Sequence, residues 1–383
     1  MNAVTIIGAG FGALTAAQTL RKLDRSLRID LIAPRPVFAF YPGMIWIPTG
    51  KAATQEMEVP LKRFFDRMRV SYHPGKVRGM SPDARSVQVG DHDGNHDGNH
   101  DLANDGLIIA SGTSFRNQPA GCEHSFRPCG GVAEIKRLTE RLHALQGGTL
   151  AFGVDANPDE SRAVRSGPVF EIMFGIERWL QRHGRRDAFR LVFFSSSPEP
   201  GGVLGPRAAQ RILAEMHKRG IETRLGVRSI RFDADRVVTD QGEFGVELIV
   251  YMPGLTGQRW LDQTPLPRSA GGLIAADERC RVAGLEQVYV VGDAGSPAGP
   301  DWLPKRAHLA DLQAAVAARN LVAELQQRPA RSRFKPELVC VVDTGERAML
   351  ITRSASRALA TPPLRAFHWA KRLFKWNYLR KYR

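Results

Sequence analysis

Long hydrophobic runs are missing from this chain of 383 residues. No stretch approaches the roughly 18 uncharged apolar residues of a membrane span, which excludes an integral helical membrane protein. Cysteine is scarce: Cys122, Cys129, Cys280 and Cys340 are the only four, and none forms a CxxC pair. Neither a zinc ribbon nor a disulfide framework is therefore expected. Nothing resembling a cleavable leader precedes the strand-like run that follows Met1. Acidic side chains vanish from residue 364 onward. Basic charge is what the chain has in excess, with 54 Lys and Arg against 39 Asp and Glu, a net of +15. The apolar fraction of 43% and charged fraction of 24% are those of an ordinary globular protein. The length suits two or three hydrophobic cores.

The charge is local. Residues 331–383 hold 13 basic and 3 acidic side chains, a net of +10, and the preceding 330 residues hold 41 and 36, a net of +5. From residue 364 seven basic residues interleave with Phe367, Trp369, Phe374, Trp376, Tyr378 and Tyr382. On a helix, Phe367, Ala370, Phe374 and Tyr378 share one side, and Arg365, Arg372, Lys375 and Arg383 lie largely opposite. A basic, aromatic, amphipathic helix suits the surface of an anionic membrane, and the alternative is a helix docked on its own domain. No nucleic-acid motif accompanies it, so nucleic acid is not an expected partner.

The chain opens as strand (3–7), glycine turn, helix with Leu14, Ala17, Leu20 and Leu23 as its buried stripe, and strand (27–32). Further apolar strands are expected at 107–110, 191–194, 248–251 and 288–291, a long Ala-rich helix at about 306–325, and a hairpin from 338–342 and 348–352. This is a doubly wound α/β pattern with a small appended module. Residues 91–101, DHDGNHDGNHD, place His92, His96 and His100 four apart, but glycine and Asn/Asp content argue for a loop and against a helical metal face. No metal site is expected.

Gly8-Ala9-Gly10-Phe11-Gly12-Ala13 stands between strand and helix, the setting a dinucleotide fingerprint requires. Gly8 permits the tight turn, Gly10 lets the backbone approach a pyrophosphate, Gly12 belongs to the same motif, and Ala13 keeps the helix close to the strand. The acidic ribose partner expected after the second strand is replaced by Ala33-Pro34-Arg35. Asp30 inside the strand is one substitute, and Arg35 on the adenine side of the cofactor is another. The segment 107–113, LIIASGT, resembles the turn that ends a strand in flavoproteins with two dinucleotide domains, placing Gly112 at the cofactor. The segment 288–295, VYVVGDAG, resembles their second FAD motif, with Gly292 in the turn and Asp293 accepting from ribityl hydroxyls. FAD is the cofactor these motifs imply.

Further residues resemble one branch, the sulfide:quinone oxidoreductases, related to flavocytochrome c sulfide dehydrogenase and type II NADH dehydrogenase. They are Phe38, Phe40, Pro42, Trp46 and Gly50; Ser166-Gly167-Pro168-Val169-Phe170-Glu171; Pro304-Lys305; Cys340 through Asp343 and Gly345; and Phe367-His368-Trp369-Ala370-Lys371. The resemblance implies two Rossmann-like domains and a small C-terminal membrane-associating module. The first domain covers 1–114 and 246–330, the second covers 115–245 with a degenerate NAD site, and the module covers 331–383. It implies electron transfer from sulfide or another small sulfur donor through FAD to a membrane quinone, on the cytoplasmic face of the cell membrane. Cys340 and Cys129 match family cysteines and Lys305 would stabilise the reduced flavin. Phe40, Tyr41 and Trp46 suit a quinone slot or core packing equally.

The chain departs from the family at Arg165, which stands where a redox cysteine is expected, so Cys129 and Cys340 read either as a relay or as structural thiols. A type II NAD(P)H dehydrogenase is the second reading, disfavoured because residues 150–157 carry one glycine where a second fingerprint needs several. A flavin-binding protein without turnover is the third.

Overall fold

The computed structural model describes residues 2–90, 99–303 and 305–383; His92, His96 and Pro304 lie outside them. The strand Ala3–Ile7 is buried at every position. It pairs in parallel with Arg28–Ala33, Ile6 opposite Leu31, and with Gly106–Ile109, Ile6 opposite Ile108. Val70–Pro74 and Val288–Val290 extend the sheet to five parallel strands. Continuous Val/Ile/Leu strands suit a sheet covered by helices on both faces. The helix Phe11–Leu23 buries Ala13, Leu14, Ala17 and Leu20 and leaves its last residue, Leu23, exposed, so the expected stripe ends one turn early. Small residues let this helix lie close against the long helix Ala307–Leu325, and Thr15 donates to Asp311 across the seam at 2.7 Å.

A second parallel sheet runs in the order Glu222–Leu225, Phe189–Ser195, Gly148–Val154, Leu248–Met252. Leu150 sits opposite both Leu191 and Leu248. This corrects the boundary expected between 245 and 246: the ladder to Gly148–Val154 puts Leu248–Met252 in the second domain. The chain crosses between the sheets at Ser114–Phe115 and returns at Leu255–Thr256, and these two short strands pair antiparallel.

Three antiparallel strands, Leu338–Asp343, Ala348–Arg353 and Ala358–Ala360, precede the tail helix Arg365–Arg380. No helix among the described residues is long and apolar enough to cross a membrane. The tail helix docks on its polar side. His368 donates to Asp343 at 2.7 Å, Lys371 pairs with Glu171, Lys375 pairs with Glu56 at 2.7 Å, and Tyr378 donates to Asp311 at 2.9 Å. Trp46 lies within 6 Å of Lys371, Arg372 and Lys375 and donates to Asp343 at 3.1 Å.

Outward face Trp369, Leu373, Phe374 and Trp376, exposed by 65, 64, 56 and 53%. The expected grouping of Phe374 with Tyr378 against Lys375 is thus reversed. Acids on the body draw the cations in, the buried Glu171 and Asp343 above all, because a buried carboxylate without a partner costs far more than an exposed ring.

Burial alone would raise the Asp343 carboxyl. The hydrogen bond and charge of His368, with Lys371 and the Gly345 N–H, outweigh it and hold the group below its ordinary value. Asp343 therefore stabilises the fold fully above about pH 4 and ceases to do so as pH falls through its lowered pKa. Replacing His368 by Ala strands this carboxylate. The expected loss is about 3 kcal/mol, measured at pH 7 by chemical unfolding followed through tail tryptophan fluorescence, and it should shrink in an Asp343→Asn background.

Candidate flavin and thiol site

The fingerprint turn has the shape of a phosphate cradle. Gly8 has a φ of +117°, and a Cβ there would collide with the Ala110 carbonyl. A Cβ on Gly10 would meet nothing within 4 Å, leaving the backbone open to a ligand, whereas one on Gly12 would press on Val291 at 3.0 Å. Ala13 is fully buried against the sheet. Gly112 also faces open space, and Gly292 is held by its N–H donating to Gln313 at 2.8 Å. Gly12 and Gly292 lie against Ala310 in the first turn of the long helix, and helix starts favour negative charge. The cradle fits FAD. Asp30 is no ribose partner, because its buried carboxylate is taken by Arg28 at 3.0 Å and His73 at 2.8 Å. Arg35 is exposed and pairs with Glu58 at 3.3 Å.

Around Asp293 the chain gathers cations. Arg165 pairs with Asp293, Arg162 lies 3.6 Å from Glu160, and Lys305 donates to the Gly295 carbonyl. Lys305 is buried, and desolvation pushes its ammonium down to about 8; Arg162 and Arg165 push the same way against Glu160.

Each candidate thiol has a guanidinium of its own. Arg165 acts electrostatically on Cys129, and the Cys340 Sγ accepts from Arg306 Nη1 at 3.2 Å. Burial pushes the Cys129 thiol up, and Arg165 opposes this. The Cys129 turn is closed by Arg127, whose backbone N–H and guanidinium both donate to Glu134 at 2.8 and 3.1 Å. Cys340 is placed by its strand, opposite Ile351. All four cysteines are free. Cys122 packs against the second domain's core and Cys280 is buried in the turn before Val288–Val290, so neither joins the site. Of the three aromatics suggested for a quinone slot, Phe40 and Trp46 are core residues, and Tyr41 is partly exposed beside Cys129 and Arg165.

Sequence reasoning missed Arg306, which follows Lys305 directly, and it cited Glu171 and His368 only as parts of motifs. Glu171 is buried, its carboxyl raised by desolvation against the pull of Lys371.

The second domain lacks the open turn of the first. Gly153 lies within its strand, where a Cβ would collide with the Phe194 ring, so this glycine serves packing. The turn itself carries Asp155, which accepts from Ser196 N–H at 2.9 Å, Tyr251 Oη at 2.7 Å and Ser229 Oγ at 3.2 Å. A carboxylate there repels a pyrophosphate.

The family model for pyridine nucleotide-disulphide oxidoreductases matches residues 191–317. A sulfide-quinone reductase of Aquifex aeolicus is 24% identical over 90% of this chain and 82% of its own length. A type II NADH:quinone oxidoreductase of Mycobacterium tuberculosis is 25% identical over 84% of this chain and 72% of its own. The crystal structure of the sulfide:quinone oxidoreductase from Aquifex aeolicus superposes with a TM-score of 0.86 at 21% identity, covering 100% of this chain and 92% of that one. With its glycine cradle, its paired nucleotide folds and these matches together, the chain is similar to the pyridine nucleotide-disulphide oxidoreductases over residues 191–317 and is an FAD-dependent oxidoreductase.

Proposed function

We propose that this protein passes electrons from sulfide or a related small sulfur donor, through FAD, to a membrane quinone. The observation that carries the reading is the contact of Arg306 with Cys340 and the pairing of Arg165 with Asp293, beside the Lys305 end of the long helix. Bound FAD supplies the two-electron acceptor that such a path requires. Gly8, Gly10, Gly12 and Ala13 would hold its pyrophosphate end, Arg35 would stand on the adenine side, and Gly112, Gly292 and Asp293 would meet the ribityl chain. Arg165 offsets part of the desolvation that raises the Cys129 thiol, and thiolate is the form that attacks or carries sulfur. Lys305 places positive charge where reduction accumulates negative charge. Glu171 and Lys371 form a buried pair able to hold a proton close to the tail, and quinone reduction consumes protons.

The tail helix seats the protein on the cytoplasmic face of the cell membrane. Trp369, Leu373, Phe374 and Trp376 enter the lipid, and the exposed Arg365, Arg380, Lys381 and Arg383 meet anionic headgroups. The type II NAD(P)H dehydrogenase reading gains from the mycobacterial relative and loses at Asp155.

Sulfide should bleach the flavin of the purified protein and a soluble quinone should restore its colour. Cys340→Ser should slow bleaching on the order of 100-fold or more. Faster bleaching by NADH than by any sulfur donor would overturn the donor assignment. Trp369→Ala with Leu373→Ala should weaken binding to vesicles containing anionic lipid by more than about tenfold, since each buried side chain of this size contributes about 1.5–3 kcal/mol. Vesicle cosedimentation measures it, and unchanged binding would remove the tail from membrane contact.

Lys305 gives a pH signature in the flavin-free protein. Between pH 8 and 10.5 the unfolded chain holds its proton and the folded chain does not, so stability should rise with pH across that window. The rise should be roughly 3 kcal/mol by chemical denaturation, and Lys305→Met should abolish it.

A further inference from the structure

The helix Gly167–Arg182 begins in an arrangement that repels itself. Its N-terminus is the positive end of a 16-residue dipole. Arg165 and Ser166 immediately precede it, and the Arg306 guanidinium packs on Gly167, with Nη1 3.2 Å from where a Cβ would stand. Cations at this end of a helix are unfavourable unless an anion lies among them. Asp293 answers Arg165, but among the described residues no carboxylate is paired with Arg306.

Two buried polar atoms at the same place have no partner, Ser166 Oγ and Arg306 Nε, and Ser166 is only 3% exposed. Such atoms in a native fold are normally satisfied by something, because each costs about 1–3 kcal/mol when left alone. The side chain of Ser166 does not cap the helix, so its hydroxyl is not spent on the backbone.

We propose that Arg165, Ser166 and Arg306 form a site for a small tetrahedral sulfur oxyanion, with Cys129 and Cys340 at its two sides. Two guanidinium forks and a hydroxyl are a donor set for oxygen atoms, and a bare hydrosulfide would leave most of it unused. The two thiols on the same guanidinium groups select sulfur at the other end of the ligand. Arg165 is thereby a specificity residue: it makes the site one for a donor or product that carries its own oxygens. The inference rests on the sulfur-to-quinone reading above and narrows its substrate class.

Thiosulfate is the probe, titrated by calorimetry into the full chain loaded with FAD, with flavin content read by absorbance in the same sample. Thiosulfate should bind, and acetate at equal ionic strength should bind at least tenfold more weakly. Arg165→Gln and Arg306→Gln should each cost about tenfold or more, Ser166→Ala a few-fold, and Arg306→Lys should recover part of the loss. Absence of binding to the flavin-loaded chain, full affinity in Arg306→Gln, or equal affinity for acetate would overturn the site. A chain that takes up no FAD would instead overturn the proposed function, and the same titration on the flavin-free chain then decides the site by the same criteria.

Discussion

The carboxylate of Asp343 is the knot on which the tertiary arrangement of elements depends. It accepts from Trp46 in the short helix after the second strand, from His368 in the tail, and from the Gly345 N–H in its own hairpin. Its backbone N–H in turn donates to Glu171 on the helix that starts at the thiol site. One buried charge thus joins four segments far apart in sequence. Because three donors and the nearby Lys371 favour its charged form, the pKa of the group is held down where burial alone would raise it. The same geometry orients the tail helix with its cations inward.

That orientation changes what basic charge means in this protein. A net of +10 over the last 53 residues reads as a surface property, yet Lys371 and Lys375 are spent on Glu171 and Glu56, and His368 on Asp343. What the helix offers to the outside is mostly aromatic and aliphatic. The far end of the helix reaches the cofactor cradle itself: Tyr378 packs on Phe11 of the glycine fingerprint at 5.4 Å and donates to Asp311 on the long helix. The tail helix and the cofactor cradle are therefore one packed unit.

The parallel sheet, its fingerprint and the long helix were legible in the sequence because each is written locally, in uninterrupted apolar runs and in glycines at fixed spacing. Cys340, Lys305 and Asp293 were singled out through the resemblance to a family. Other features depend on which segments meet. The membership of Leu248–Met252 follows from its ladder, and an apolar strand carries no label for its sheet. The facing of the tail helix follows from acids at Glu56, Glu171, Asp311 and Asp343, which lie up to several hundred residues away. Arg306 is a single cation in a basic chain, and only the placement of Gly167 beneath it makes it informative. Asp30 has the residue type wanted for ribose, but its place in the middle of a strand gives it to Arg28 and His73.

The crossing at Ser114–Phe115 and Leu255–Thr256 has a consequence for synthesis on the ribosome. Gly106–Ile109 waits with one edge uncovered until Val288–Val290 is made, and the whole second domain is translated in between. An open edge of buried Leu and Ile is an invitation to pair with another nascent chain. The intervening domain forms its own four-stranded sheet from residues 148–252, so it can fold as a unit while the first remains unfinished. Translation speed across residues 250–290 therefore governs how long the growing chain exposes that edge, and the yield of soluble protein should follow it.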